Sequence, residues 1–166
     1  MIREFRGKKP FIHHEAIIDE SAMVMGNVVI GKKASIWPHV LIRADDAGVE
    51  IEEDVAILDK AFIEAPRNVF IGKGSIISHG AIIHGSTIGE NVLVGMGAIV
   101  MEVEVGDNAI IAAGSVVTSD VEKNCMVAGI PAKKIREINE RDVLKMEEMR
   151  RELKEKAIYL RKDEGD

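Results

Sequence analysis

Aromatic side chains are nearly missing from this chain: four Phe, one Trp and one Tyr make up 4% of the sequence. That scarcity suits a narrow core of small and branched aliphatic residues better than one filled by large rings. Cysteine is reduced to Cys125, so no internal disulfide can form, and an intracellular, cytoplasmic setting is expected. No apolar run approaches the ~20 residues that span a bilayer, so no membrane partner is expected. The opening stretch MIREFRGKKPFIHHE has no apolar segment of the secretory type. An excess of positive charge is also absent. The net charge of −6 argues against non-specific binding to nucleic acid. What remains is a chain of 166 residues, 46% apolar, enough for one domain with an appendage.

The apolar residues follow a period of six. Block heads fall at Ile12, Ile18, Val24, Ile30, Ile36 and Ile42, then at Ile51, Ile57 and Ile63. After a two-residue slip through Ala65 to Asn68 they continue at Ile71, Ile77, Ile83, Ile88, Val94, Val100, Val105, Ile111 and Val117. Helices repeat near 3.6 and plain strands at 2, so a sustained period of six signals stacked repeats, each burying its apolar face on its neighbours. Six residues supply one short strand and one corner. Three sides close a turn, and parallel strands of successive turns bond at about 4.8 Å. An all-β, parallel β-helix of about six three-sided turns is expected. An ordinary sandwich, with strands every 8–12 residues and plain alternation, fits poorly.

The expected organisation is a lead-in over 1–11, the β-helix over 12–122, a connecting segment over 123–132, and a C-terminal amphipathic helix with its tail over 133–166. Ile135, Ile138, Met146, Met149, Leu153, Ala157 and Leu160 mark the apolar face of that helix, and Asn139 is a point where it could break. The helix would cover the side of its own prism or a subunit boundary.

The frame sorts polar residues into columns. The residue after each head points outward, which aligns Arg43, Glu64, His84 and Met101 on one face. Glu64 and His84 are 20 residues apart, one eighteen-residue turn plus the slip, so they should be vertical neighbours at roughly 5 Å. Two places after the heads of the preceding face stand Pro38, Asp59, His79 and Met96. His79 therefore lies around a corner from His84, and a neighbouring chain of a parallel trimer would have to bring it to the Glu64–His84 pair. Two histidines and a carboxylate suit Zn2+ with an open fourth position, or alternatively Fe2+ or Co2+. Without a metal, the same three groups would be ordinary interface hydrogen bonding. His13, His14 and His39 have no comparable partners and receive no role.

Across Pro10 to Ile138 the sequence resembles the gamma-class carbonic anhydrase family, including proteins labelled ferripyochelin-binding. The resemblance rests on IRADD (Ile42 to Asp46), ILDKAFIE (Ile57 to Glu64), ISHGAIIHG (Ile77 to Gly85), IGENVLVGMGAIV (Ile88 to Val100) and AGIPAKKIREI (Ala128 to Ile138). It implies a left-handed β-helix, a homotrimer, and a metal held across subunits. Two of the family's three histidine ligands match His79 and His84, and the third falls on Glu64. Arg43 and Asp45 match an arginine and an aspartate that pair between subunits. Asp59 matches too, and with Arg43 would order the site. The family's asparagine and glutamine fall on Ala56 and Leu58.

The resemblance implies a lyase that interconverts CO2 and bicarbonate through a metal-bound hydroxide. The extra negative charge of Glu64 would make that water less acidic and the activity weak. A non-catalytic trimeric scaffold or assembly subunit is the alternative. A third reading is a hexapeptide-repeat acyltransferase that binds acyl-coenzyme A between subunits, with His84 or His79 as base.

Overall fold

Strands of mostly two or three residues succeed one another from Phe11 to Val117, each followed by a corner. The computed structural model describes residues 1–160. The strands stack in three parallel columns, the faces of a left-handed prism. On the first face Ile17–Ile18, Ser35–Ile36, Ala56–Ile57, Ile76–Ile77, Leu93–Val94, Ile110–Ile111 and Cys125–Gly129 pair in order. The second face runs through Phe62–Glu64, Ile82–His84, Ile99–Met101 and Val116–Val117. The third runs through Val69–Ile71, Thr87–Ile88 and Glu104–Val105. Met23–Ile30 and Leu41–Ile51 bend around a corner and serve the second and third faces both.

Every expected head from Val24 to Val117 is buried, and Ile30, Ile36, Ile42, Ile57, Ile63, Ile71, Ile77, Ile83 and Ile88 are 0% exposed. Each such isoleucine contributes about 1.5–3 kcal/mol by leaving water. The ladder is therefore the principal source of stability. Corners adopt left-handed backbone. At the corner joining the first face to the second, His39 (φ 59), Lys60 (φ 61) and Gly80 (φ 67) occupy equivalent places in successive turns. A side chain is thus tolerated there at a conformational cost.

There are about seven turns instead of six. Cys125–Gly129, expected as a connector, is the seventh strand of the first face. Residues Ala132–Glu137, expected as the end of the connector and, from Lys133, as helix, form a strand antiparallel to it. Ile135 is accordingly 57% exposed and not on a buried helical stripe.

The helix α1 spans Glu140–Ala157, followed by a 3-10 turn at Ile158–Leu160. It starts at Asn139 because that side chain accepts from the Asp142 amide (3.0 Å) while Asp142 accepts from the Asn139 amide (2.9 Å). α1 lies against the first face. Leu153 packs on the buried cluster of Ala56, Leu58 and Ile76, and Lys154 pairs with Asp54 at 2.9 Å. The remainder of the expected tail, 161–166, lies outside the described residues. No helix among the described residues is long and apolar enough to cross a membrane.

Candidate active site

On the second face the ladder sets Arg43 opposite Glu64, Glu64 opposite His84, and His84 opposite Met101. All four side chains project outward, because the intervening Ile42, Ile63, Ile83 and Val100 fill the core. Glu64 divides its two oxygens. Oε1 binds the Arg43 guanidinium, and Oε2 lies 3.0 Å from His84 Nδ1. A carboxylate can only accept, so Nδ1 carries a proton, and in the neutral ring Nε2 keeps a free lone pair. Arg43 is held in turn by Asp45, 3.1 Å from its Nε, and lies over the Phe62 ring at 5.6 Å. The Glu64 and His84 side chains are 23% and 34% exposed, open enough for a small reactant to reach the imidazole.

Around the corner a second pair forms. The amide of Gly80 donates to the Asp59 carbonyl (2.9 Å) and that of Gly97 to the His79 carbonyl (3.0 Å), which stacks these turns one over another. His79 Nδ1 comes to 2.9 Å from Asp59 Oδ2. Met96 stands in the next turn of this column, 61% exposed, and Met101 stands beyond His84, 39% exposed. Each histidine thus has its own carboxylate below it and an exposed methionine above.

The expected ligands Glu64, His79 and His84 do not gather within one chain. Within the chain, Glu64 is shared between the Arg43 guanidinium and His84. Among the described residues, the donor atoms of His13, His14 and Glu15 lie within 4.8 Å of one another, and this partial cluster could coordinate a metal ion. Sequence reasoning passed it over, although three adjacent ligand-type residues were the available signal. The cluster is committed elsewhere in part. His13 Nδ1 accepts from the Glu15 amide at 3.1 Å, and Lys32 pairs with Glu15 at 3.2 Å, holding its carboxyl below the usual range.

Residues 86–119 match a family model described as the hexapeptide repeat of succinyl-transferase. The carbonic anhydrase of Geobacillus kaustophilus is 37% identical over 164 residues, covering 96% of this chain and 90% of that one. A Bacillus cereus protein solved under the provisional name of an acetyltransferase superposes with a TM-score of 0.93 at 32% identity, over 96% of this chain and 95% of that one. A hexapeptide transferase family protein from Anaplasma phagocytophilum gives 0.92 at 32% identity, over 95% and 96%.

These findings correct the expected chemistry. A zinc-dependent lyase acting on CO2 and bicarbonate is overturned by two near-full-length structural matches to transferases. The residues agree with that correction. Glu64 neutralises Arg43, and Ala56 and Leu58 are 6% and 4% exposed in an apolar cluster under α1, where they can order no solvent. The relationship to the Geobacillus protein is one of descent and fold, and activity is decided at the site.

Proposed function

Because the chain belongs to the hexapeptide-repeat family of left-handed β-helix proteins, we infer that it is an acyltransferase of that family, with His84 as general base. The observation that carries this reading is the His84–Glu64 hydrogen bond of 3.0 Å, which fixes the protonated nitrogen and leaves Nε2 free. Arg43 and Asp45 hold Glu64 in place and are positioning residues. In the reaction, an amine or hydroxyl attacks the thioester carbonyl carbon of an acyl-coenzyme A. Nε2 of His84 accepts the nucleophile's proton, the carbon–sulfur bond breaks, and the departing thiolate takes the proton back. His79 with Asp59 supplies a second oriented imidazole that a neighbouring subunit could present to the same cleft. The exposure of Met96 and Met101 beside both pairs supports self-association, and a homotrimer is the assembly proposed.

The test is release of coenzyme A thiol from acetyl-coenzyme A with a panel of small amines and alcohols. His84→Ala should lower kcat/KM by roughly 10²–10⁴-fold. Glu64→Gln should lower it less and alter the pH profile, because it misorients the ring without removing it. Absence of turnover with every acceptor, together with no retention on immobilised coenzyme A, would leave the scaffold reading in its place.

A further inference from the structure

Between α1 and the early turns of the first face lies a cavity of about 500 Å³, within the range of small-molecule sites. Its walls are apolar: Ile17 and Ala56 from the prism, Leu153, Ala157 and Ile158 from the C-terminal segment. The charged groups at its edge are unevenly matched. The carboxylates are already paired, Asp54 with Lys154 at 2.9 Å and Glu15 with Lys32 at 3.2 Å. Lys33 and Arg150 form no ion pair among the described residues and feel Glu15 and Glu147 only at longer range. Arg150 reaches only the Gly74 carbonyl, at 3.5 Å. Burial pushes its basicity below the ordinary value, and the Glu147 charge, which forms no ion pair with it, only partly opposes that shift.

A half-buried guanidinium that forms no ion pair, beside an apolar chamber, is a receptor for a carboxylate with a hydrocarbon body. The planar fork matches a carboxylate through two parallel hydrogen bonds, and the apolar walls take the chain. We propose that this cavity binds a medium-chain aliphatic carboxylate, its head on Arg150 and Lys33 and its chain between Ile17, Ala56 and Leu153. The proposal is independent of the acyl-transfer reading, since the cavity lies on the first face and His84 on the second.

The chain contains one tryptophan, Trp37, whose indole N–H donates to Ser35 Oγ at 3.1 Å, and Ser35 lines the cavity. Its fluorescence therefore reports occupancy. Titration of the full chain with sodium decanoate, below the concentration at which it forms micelles, should give a saturable change with one site per chain. Arg150→Gln should weaken it at least ~10-fold, the size of one lost charge-assisted pair, and 1-decanol should bind at least ~10-fold more weakly than decanoate. Lys33→Gln, at an exposed position, is the second variant should Arg150→Gln lose its circular dichroism signal. No saturable change overturns the proposal, as does equal affinity for decanol, or unaltered decanoate affinity in the folded variants. Failure of decanoate to bind, combined with a changed oligomeric mass in Arg150→Gln by light scattering, would assign the cavity to a subunit contact and overturn it likewise.

Discussion

Two glycine-to-alanine changes separate crowding from backbone strain. Gly95 has ordinary φ, yet a Cβ there would lie 2.5 Å from Ala113 N, 2.7 Å from Ala112 C and 2.7 Å from Ile111 O. Those atoms are backbone of the next turn, so no rotamer relieves the clash. Relief requires parting the turns by on the order of 1 Å, since ordinary carbon contacts begin near 3.5 Å. The bonds Gly95 N to Ile111 O (2.8 Å) and Leu93 N to Ala109 O (3.0 Å) lie across that gap. Weakening both, at about 1 kcal/mol each, with an overpacking term of about 1–3 kcal/mol, gives roughly 3–5 kcal/mol of destabilisation for Gly95→Ala. Gly80 is the converse. Its φ is +67, but nothing lies within 4 Å of an added Cβ. Alanine there costs about 1–2 kcal/mol in left-handed backbone, offset by about 0.4–1 kcal/mol of unfolded-chain entropy. Gly80→Ala should therefore lose no more than about 1.6 kcal/mol. Urea titrations followed by circular dichroism, at one fixed protein concentration, measure both. If Gly80→Ala proves the more damaging, or Gly95→Ala loses less than about 1 kcal/mol, crowding between turns is not what demands glycine here.

Ser115 is 1% exposed and its Oγ has no hydrogen-bond partner among the described residues, while Ala98 and Ala81 occupy the same place in the two preceding turns; Ser115→Ala should raise stability by roughly 0.5–2 kcal/mol, and a lower melting temperature would contradict that. Asp142 is held down to about 2 by hydrogen bonds from Arg136 and from the Asn139 amide. A carboxyl lowered on folding stabilises fully above its ordinary value near 4 and loses that contribution as pH falls through about 2. Helix signal should therefore weaken between those limits by an amount worth about 1 kcal/mol, and Asp142→Asn should flatten that part of the acid titration. Cys125 is 1% exposed and burial pushes its thiol up; an aromatic disulfide reagent should leave it untouched in the native protein and titrate one thiol per chain in denaturant.

The prism was legible because its information is one-dimensional. A head every six residues places Ile63 over Ile83, and the slip at Ala65 to Asn68 is what brings Glu64 opposite His84. The same columns put Asp59 under His79, but the strength of that pairing depends on how tightly the corner stacks, which periodicity does not encode. Nor could spacing reveal that Arg43 would claim one oxygen of Glu64. Lys133 to Ile138 was misread as helix because Ile135 and Ile138 are three apart in a charged run. The bonding edge offered by Cys125–Gly129 overrode that local signal. The cavity beside Arg150 was invisible for a related reason, since it exists only where the returning helix meets turns more than ninety residues earlier in the chain.

A stack of parallel strands has no intrinsic length. The last turn always presents a row of unpaired amides and carbonyls on which another molecule's first turn could continue, as in a fibril. Here Ala132–Glu137 occupies that row on the first face, running the opposite way and exposing Lys133, Lys134, Arg136 and Glu137 at the rim. Reversed polarity breaks the register that a seventh turn would hand to an eighth, and the charges make the new rim a poor template. Six residues therefore close the first face, where a repeat that could propagate indefinitely comes to its end.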